Sequence, residues 1–357
     1  MDSKQLQIDH QHERLNKLDE QHFQDNHHSK KEILFKVNNI SFGYSKKKIL
    51  NGLSIDIYKG DFTVVIGPNG CGKSTLIKNL VRINLPECGN ILFKDKLIYS
   101  PNPFQIFVKE YFLKLFKKKT SSKEVQSLEW FKKNRKQIGV YKPKNLALEI
   151  SYVPQITNFP ENTSIYDFVK MGRFPHSNAL GFSTNPKKEQ EIINDALAKV
   201  GILDIKNEDI NNVSGGQRQK ALIAMSLAQQ TDTIILDEPT NHLDIKAQLE
   251  IMSLLHKLHH ELNKSIILVI HDINVGIKNA SRVCVMKDGK ILRYGKTHDV
   301  IDSDVLLEAF GVNTIIETED GSMNITEFSL PKHEILDELH VQKTWDEHLK
   351  KHDNLEK

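Results

Sequence analysis

Cysteine and long apolar runs are scarce in this sequence, and each shortage excludes a class of protein. The 357 residues hold three cysteines, Cys71, Cys88 and Cys284. Their scattered positions give no disulfide or zinc framework, which favours a reducing cytoplasm. No apolar run approaches the roughly 18 to 20 residues that a bilayer span needs. The N-terminal residues contain no apolar h-region, so we expect no secretory signal.

The net charge of the chain is small, but the charges are unevenly distributed. The whole sequence carries +3, whereas the segment from Leu97 to Ala147 holds twelve Lys or Arg, three Glu and no Asp. This segment therefore carries +9, and the remainder of the chain carries −6. A basic block of this size within a mildly acidic protein requires an explanation of its own.

Polar segments flank a central domain that we place at residues 32–331. Residues 1–31 lack apolar periodicity and hold five of the sixteen histidines, so they predict a disordered polar tail whose histidines are either solvated or bind a metal. Residues 332–357 are charged, with apolar residues at helical spacing. They predict a C-terminal helix that either packs on a body or partner or is mostly solvated.

The central domain alternates strand and helix patterns. ILFKVNNISFGY alternates as a strand does, and DFTVVIG, TDTIILDEP and SIILVIH are continuous apolar runs that are typical of strands buried on both faces. Helices are predicted over 73–84 and 245–262, and a hairpin turn is predicted at Asp288 and Gly289. This order predicts an α/β domain around a largely parallel sheet.

The stretch GPNGCGKST, from Gly67 to Thr75, fits the phosphate-loop pattern between a strand and a helix. Its glycines allow backbone amides to converge on phosphate, Lys73 brings charge to the β- and γ-phosphates, and Ser74 is a magnesium ligand. The predicted ATP-binding residues here are Gly67, Pro68, Asn69, Gly70, Cys71, Gly72, Lys73, Ser74 and Thr75. Cys71 is either a thiol of lowered pKa or simply a small residue.

Two further strands end in acidic or basic side chains. Asp237 in IILDEP is expected to face the magnesium sphere, and Glu238 is expected to orient or deprotonate the attacking water. His271 ends the next buried strand, beside the catalytic strand in any plausible sheet order. We therefore expect His271 to contact the γ-phosphate.

A second phosphate-like element, VSGGQRQ, begins at Val213. Ser214, Gly215, Gly216 and Gln217 stand at a predicted helix N-terminus, where a hydroxyl and backbone amides suit an anion. A single phosphate loop has no room for this helix beside its own lysine, so a second surface would have to supply the helix.

These motifs, in this order, resemble those of the ATP-binding cassette (ABC) family over about residues 33 to 330. The resemblance implies a P-loop NTPase with a RecA-like core, an antiparallel β subdomain and a helical subdomain at about 156–213. It also implies an active ATPase with Mg²⁺, an adenine-stacking Tyr44, and Gln155 as a sensor of γ-phosphate and magnesium. Asp244 in NHLD would end a loop that contacts the opposite subunit.

The resemblance also implies an assembly. In the family, the VSGGQ loop of one cassette closes over the nucleotide of another, so we expect a head-to-tail homodimer, or a heterodimer, that encloses two ATP molecules. MGRFPH (171–176) and the segment 295–313 are similar to cassettes of iron–siderophore, haem and cobalamin importers. Manganese and zinc import cassettes carry similar MGR segments. The expected partners are a membrane permease and, through it, a substrate-binding protein, at the cytoplasmic face of the membrane.

The basic block departs from this family pattern. Lys73 and Gln155 are 82 residues apart, whereas such cassettes usually need roughly half that separation. Three interpretations of the insertion at 97–147 remain open. It is a surface hairpin with solvated lysines, a membrane or permease contact, or a nucleic-acid patch with interleaved aromatic residues.

Two other functions compete with import. A soluble ABC ATPase acting on ribosomes or nucleic acid is disfavoured, because such proteins generally carry two cassettes in one chain. An exporter half is disfavoured because no membrane domain is fused to this cassette.

Overall fold

The computed structural model describes residues 31–44, 47–98, 140–155, 158–177, 185–319 and 322–331. The chain divides into two units, Met1–Ile33 and Leu34–Lys357, and only residues 31–33 of the first are described. The predicted N-terminal tail, most of the basic insertion and the predicted C-terminal helix therefore lie outside the described residues. The predicted domain boundaries stay predictions.

Strands and helices alternate through the second unit. The strands are β1 (Ile33–Tyr44), β2 (Lys47–Tyr58), β3 (Phe62–Ile66), β4 (Cys88–Phe93), β5 (Lys96–Leu97), β6 (Ile150–Val153), β7 (Thr233–Asp237), β8 (Ser265–Val269), β9 (Arg282–Lys287), β10 (Lys290–Lys296), β11 (Asn313–Glu319) and β12 (Ser322–Ser329). The helices are α1 (Lys73–Leu80), α2 (Pro143–Ala147), α3 (Ile165–Lys170), α4 (Pro186–Lys199), α5 (Gly215–Ala228), α6 (Ile245–Leu262), α7 (Ile273–Asn279), α8 (Thr297–Val300) and α9 (Ser303–Phe310), and Met171–His176 is a 3₁₀ helix.

A six-stranded sheet forms the centre, in the order β10-β9-β3-β8-β7-β6. The five strands from β9 to β6 pair in parallel, and β10 pairs antiparallel with β9 as the second arm of a hairpin. Every residue of β3, β7 and β8 is buried, as their continuous apolar sequences predict. The predicted α/β fold with a largely parallel sheet is confirmed.

The central sheet separates two hydrophobic cores. Val64 and Ile66 of β3 pack in a core shared with the helices, whereas Val65 between them packs in a second core. That second core includes residues of a four-stranded sheet in the order β2-β1-β4-β5. The alternation of side chains along a strand thus places consecutive residues in different cores.

Helix α1 ends earlier than the sequence predicts. We expected a helix to residue 84, but α1 ends at Leu80. Arg82 adopts a left-handed conformation with φ of 63°, and the amides of Ile83 and Asn84 both donate to the Lys78 carbonyl at 2.9 and 3.0 Å. This local closure satisfies the last carbonyls of the helix, so the helix stops well before Pro86.

The hairpin between β9 and β10 turns where the sequence predicts. Asp288 and Gly289 have φ of 48° and 73°, which is the backbone conformation that a two-residue hairpin turn with the twist of its strands requires. The Gly289 amide donates to the Cys71 carbonyl at 3.0 Å. The turn is therefore also a support for the phosphate loop.

A buried arginine connects the 3₁₀ helix, α4 and α5. Arg173 in the 3₁₀ helix donates to both carboxylate oxygens of Glu189 in α4, at 2.6 and 2.9 Å. It also donates to the Ala228 carbonyl at the end of α5, at 2.7 Å. A Cβ on the neighbouring Gly172 would collide with the Met225 carbonyl of α5. The MGR segment is thus a packing element that joins α4 to α5.

The chain leaves and re-enters the fold at neighbouring positions around the basic insertion. Leu97 and Val140 form a parallel bridge, and the Tyr141 amide donates to the Leu97 carbonyl at 2.8 Å. The three interpretations of the insertion stay open, because residues 99–139 lie outside the described part of the chain. Within the described ranges, no helix has the length and hydropathy that a membrane span needs.

Candidate active site

The carboxyl ends of four parallel strands meet at one edge of the central sheet. β3 leads into Gly67, β7 into Glu238, β8 into His271 and β6 into Gln155. Ligands of open α/β sheets bind outside this edge. The sheet order therefore brings the phosphate loop, both acidic residues and the histidine, which are distant in sequence, to one edge.

The backbone of the phosphate loop demands glycine at its two ends. Gly67 has φ of 153°, and a Cβ there would collide with the Met286 carbonyl and lie 2.8 Å from the Cys71 sulfur. Gly72, with φ of 108°, immediately precedes α1, and a Cβ there would lie 2.9 Å from Leu50 Cδ2. Both sterics and φ exclude larger residues, so the loop keeps its close backbone path.

Lys73 lies at the first position of α1 with its ammonium folded over the loop. The side chain is 5 % exposed, and Nζ donates to the carbonyls of Gly67 and Pro68 at 2.7 and 3.1 Å. A buried ammonium needs such partners, because its desolvation is otherwise unfavourable. The charge is therefore held at the mouth of the loop.

Asp237, at the end of β7, receives hydrogen bonds on both carboxylate oxygens. Ser74 Oγ donates to Oδ1 at 2.8 Å, and the Tyr152 hydroxyl donates to Oδ2 at 3.3 Å. Burial raises the pKa of the Asp237 carboxyl, while the Ser74 hydrogen bond lowers it. Burial, and then the charge of Asp237, raise the pKa of the Tyr152 phenol. The tyrosine therefore remains a proton donor to the aspartate.

The oxygen atoms of Ser74 and Asp237 fit a magnesium ion. Mg²⁺ prefers oxygen ligands and is commonly bound by one or two carboxylates together with substrate phosphates. Among the described residues, no group of three or more His, Cys, Asp or Glu side chains could hold a metal by itself.

Glu238 follows Asp237 in a strained conformation beside the phosphate loop. Its φ is 52°, a left-handed value that is uncommon for a residue with a side chain and recurs at functional sites. Its Oε1 lies 2.6 Å from His271 Nε2, and its Oε2 accepts from Asn241 Nδ2 at 3.1 Å. The glutamate is 12 % exposed and the histidine 43 %. Both carboxylate oxygens are thus held by neighbouring side chains.

The other residues predicted to bind or sense ATP on this side of the molecule lie at the edge of the site. Gln155 is exposed, two residues beyond the end of β6. Tyr44 ends β1 in the four-stranded sheet, is 51 % exposed, and accepts a hydrogen bond from Asn84 at 2.9 Å. Asn69 and Gly70 are exposed at the tip of the loop, whereas Thr75 is buried in α1.

Cys71 does not have the lowered pKa that one of our two interpretations required. Its thiol is buried, and burial raises its pKa more than the charge of Lys73 lowers it. That interpretation was wrong, because the side chain points into the core rather than toward solvent. Cys71 is a small residue that packs beneath Gly67.

The VSGGQ loop lies at the N-terminus of α5. Ser214 Oγ accepts from the Gln217 amide at 3.3 Å, while Gln217 Oε1 accepts from the Ser214 amide at 2.9 Å. This reciprocal pair is a capping box. Ser214 and Gly215 are exposed, and a Cβ on Gly216 would lie 3.1 Å from Ala247 Cβ in α6. The loop is therefore packed on its inner side and open on its outer side.

The loop before α6 also has a local role. Asp244 Oδ1 accepts from the Ala247 amide at 2.7 Å and caps α6. This contact is within the chain and is compatible with the outward contact that the resemblance implies. Leu243, beside it, is 3.3 Å from the position of a Cβ on Gly215.

Sequence analysis missed two residues of the site, Tyr152 and Asn241. Tyr152 lies three residues before Gln155, and Asn241 begins NHLD, so both stand beside residues to which other roles were given. Tyr152 alternates with buried Ser151 and Val153 on a strand beside β7. The alternation places the ring on one face of the strand, but the pairing with β7 that brings it to Asp237 is visible only in the structure.

Comparison with known proteins gives a consistent family. A family model described as ABC transporter matches residues 50–241. The probable siderophore transport system ATP-binding protein YusV of Bacillus subtilis is 34% identical over 274 residues, 77% of this chain and 84% of that protein. The petrobactin import ATP-binding protein FpuD of Bacillus anthracis is 31% identical over 280 residues, 78% of this chain and 87% of that protein.

A solved structure extends the similarity to three dimensions. It is described as a metal-chelate type ABC transporter in an inward-facing conformation, and its sequence is 25% identical. The match covers 85% of this chain and 99% of that chain, with a TM-score of 0.62.

Proposed function

The chain belongs to the ABC transporter family, and from this premise we propose that it powers the import of an iron–siderophore or related metal chelate through a separate membrane permease. As an ABC-type ATPase, it binds and hydrolyses ATP. The observation that carries the proposed cargo is the similarity to siderophore and petrobactin import proteins over more than three quarters of both chains. The sequence similarity of MGRFPH and of the segment 295–313 supports the same class.

The proposed function gives each residue at the sheet edge a role. Lys73 binds the β- and γ-phosphates, and Glu238 accepts a proton from the water whose oxygen attacks the γ-phosphorus. The bond from that phosphorus to the ADP oxygen breaks, and ADP leaves with the electron pair. His271, 2.6 Å from Glu238, orients the carboxylate and contacts the γ-phosphate. Gln155 senses the γ-phosphate and the metal from the rim.

Magnesium fits this proposal through the oxygen atoms of Ser74 and Asp237. When bound, the ion neutralises charge on the β- and γ-phosphates. The chain contributes the orientation of these ligands, since Ser74 and Tyr152 donate to different oxygens of the Asp237 carboxylate. Tyr44 stacks on the adenine ring from the end of β1, where its ring is half exposed.

The second half of the site is proposed to come from another cassette. The outer side of the Ser214 loop is open, and its amides lie at the N-terminus of a helix of 14 residues, which attracts phosphate. We expect a head-to-tail dimer that encloses two ATP molecules and pulls on the permease as it closes. A substrate-binding protein acts through the permease, and the cassette docks on the cytoplasmic face of the membrane.

A deletion strain tests the cargo. Strains lacking this chain are grown on a single iron–siderophore, haem, cobalamin or manganese source, with wild-type and Glu238→Gln chains supplied in trans. We expect a defect on iron–siderophore that the wild-type chain restores and Glu238→Gln does not. A defect confined to manganese would replace the proposed cargo with a metal ion.

Fractionation tests the class of function. The tagged chain should sediment with membranes and co-purify with a multi-span permease. Recovery with ribosomes at low salt, without a permease, would contradict a transport role and support the alternative of a soluble ATPase.

A further inference from the structure

Two hydroxyl groups from different elements hold the two oxygens of Asp237. Ser74 reaches Oδ1 from the first turn of α1, and Tyr152 reaches Oδ2 from β6. The strand register explains the second contact, because Val153 pairs with Leu236 and Tyr152 pairs with Ile235. Tyr152 therefore lies on the neighbouring strand just before Asp237.

The terminal torsion of an aspartate is broad and does not fix the carboxylate plane by itself. A donor on one oxygen still permits rotation about that contact. Donors on both oxygens, which approach from different elements, select one orientation of the plane. In metal sites, such outer hydrogen bonds to a ligating carboxylate set its direction and affect affinity.

Tyr152 is partly buried and packs against the second hydrophobic core. It lines a groove of about 460 Å³ together with residues that include Arg82, Leu146 and Gln229. Gln229 Nε2 donates to the Ile150 carbonyl at 3.1 Å on the same strand, and Arg82 donates to the Tyr141 carbonyl at 3.0 Å. Of the described residues that line this groove, Tyr152 is the one that the structure hydrogen-bonds to Asp237.

We propose that Tyr152 is a positioning residue that orients the Asp237 carboxylate toward the magnesium ion of the bound nucleotide. This inference rests on the proposed role of Asp237. Tyr152 acts through Asp237 and does not touch the nucleotide. Its loss should weaken the response to magnesium while the fold and the phosphate loop stay intact.

The test uses Tyr152→Phe, which removes only the hydroxyl. ATP binding is titrated with Mg²⁺ in a Glu238→Gln background, where hydrolysis does not interfere, and ATPase activity is titrated in the otherwise wild-type chain. We expect the Mg²⁺ concentration for half-maximal effect to rise about tenfold in both assays. The KM for ATP at saturating Mg²⁺ and the melting temperature should stay close to the wild-type values.

Tyr141→Phe is the matched control, because Tyr141 belongs to the core against which Tyr152 packs, and its ring lies against Phe93 at 5.8 Å between centroids. It should leave the Mg²⁺ dependence unchanged. Asp237→Asn distinguishes the positioning role of Tyr152 from the proposed role of Asp237 itself. If Asp237→Asn shifts the Mg²⁺ dependence and Tyr152→Phe does not, the positioning role is wrong. If Asp237→Asn has no effect either, the proposed role of Asp237 fails.

Discussion

The two phosphate-facing regions of this chain differ in how their polar groups are satisfied. At the sheet edge, side chains from distant parts of the chain contact one another: Ser74 of α1 donates to Asp237 of β7, and His271, after β8, lies against Glu238, after β7. At the Ser214 loop, the side-chain hydrogen bonds stay within one helical turn. The first region is assembled by the tertiary fold, whereas the second is assembled by local sequence.

This difference explains why one chain carries two phosphate-like elements. In the proposed mechanism, the sheet edge draws its charge, its metal-facing carboxylate and its base from one chain. The Ser214 loop has exposed donors and no lysine of the kind that Lys73 supplies to the other loop. Changes in the first region should therefore impair chemistry, and changes in the second should impair closure between cassettes.

Glu238→Gln removes the proposed base at the sheet edge and should give the largest fall in the ATPase rate. Removal of the base should lower the ATPase rate by about a thousandfold, while ATP binding and the ATP-closed dimer persist. Turnover is measured by phosphate release, and dimerisation by size-exclusion chromatography with ATP. Glu261→Gln is the control, because Glu261 is 62% exposed on α6. A full-rate Glu238→Gln enzyme would refute the assigned base.

Ser214→Arg alters the Ser214 loop and leaves the residues of the sheet edge unchanged. The arginine should block closure and lower the ATPase rate by about a hundredfold, with ATP affinity at the Lys73 loop largely intact. Affinity is measured by nucleotide fluorescence, and closure by the dimer fraction with ATP.

Ser164→Arg is the matched control for this change. Ser164 also caps a helix, since its Oγ accepts from the Asp167 amide at 3.1 Å. Both variants should lose about 1 kcal/mol of stability from the cap, but only Ser214→Arg should stop hydrolysis. Full-rate hydrolysis by a Ser214→Arg monomer would show that hydrolysis requires neither this loop nor a second cassette.

Glu189→Gln sharpens the comparison by testing the ion pair at the far end of α5, the helix that begins at the Ser214 loop. The pKa of Glu189 is lowered, first by its hydrogen bonds from Arg173. The stabilisation is therefore present above the ordinary glutamate pKa and is lost as pH falls through the lowered value. At pH 7 we expect a loss of about 2 kcal/mol in the free energy of unfolding.

Urea unfolding at several pH values measures this loss. Below the lowered pKa, the curves of Glu189→Gln and the wild type should converge. Glu191→Gln, an exposed position on the same helix, should match the wild type throughout. An equal difference at every pH would mean that packing, rather than the ion pair, holds α4 to α5.

The parts of the site that sequence reasoning found are those whose signal is local. GPNGCGKST and the buried run before Asp237 each predict a strand end, and parallel pairing then implies one edge. Tyr152 escaped because its role depends on register with β7, which a single sequence does not reveal. Helix α1 was predicted too long, because Pro86 was the visible stop signal and the left-handed Arg82 was not.

MGRFPH shows a different limit of sequence analysis. As a motif, it indicated a subfamily and gave no physical role to its arginine. In the structure, Arg173 is 8 % exposed, and its donors are satisfied by acceptors on two helices. A buried guanidinium needs several distant acceptors, and those acceptors become neighbours only when the helices pack.

The Leu97–Val140 bridge has a consequence in polymer terms. A parallel pairing needs a connection of at least about a dozen residues. Here residues 98–139 connect the two bridge residues in sequence. Since closure entropy grows only with the logarithm of length, the excess over a minimal crossover costs about 1 kcal/mol. The fold can therefore accommodate an insertion of this length between Leu97 and Val140 at little thermodynamic cost.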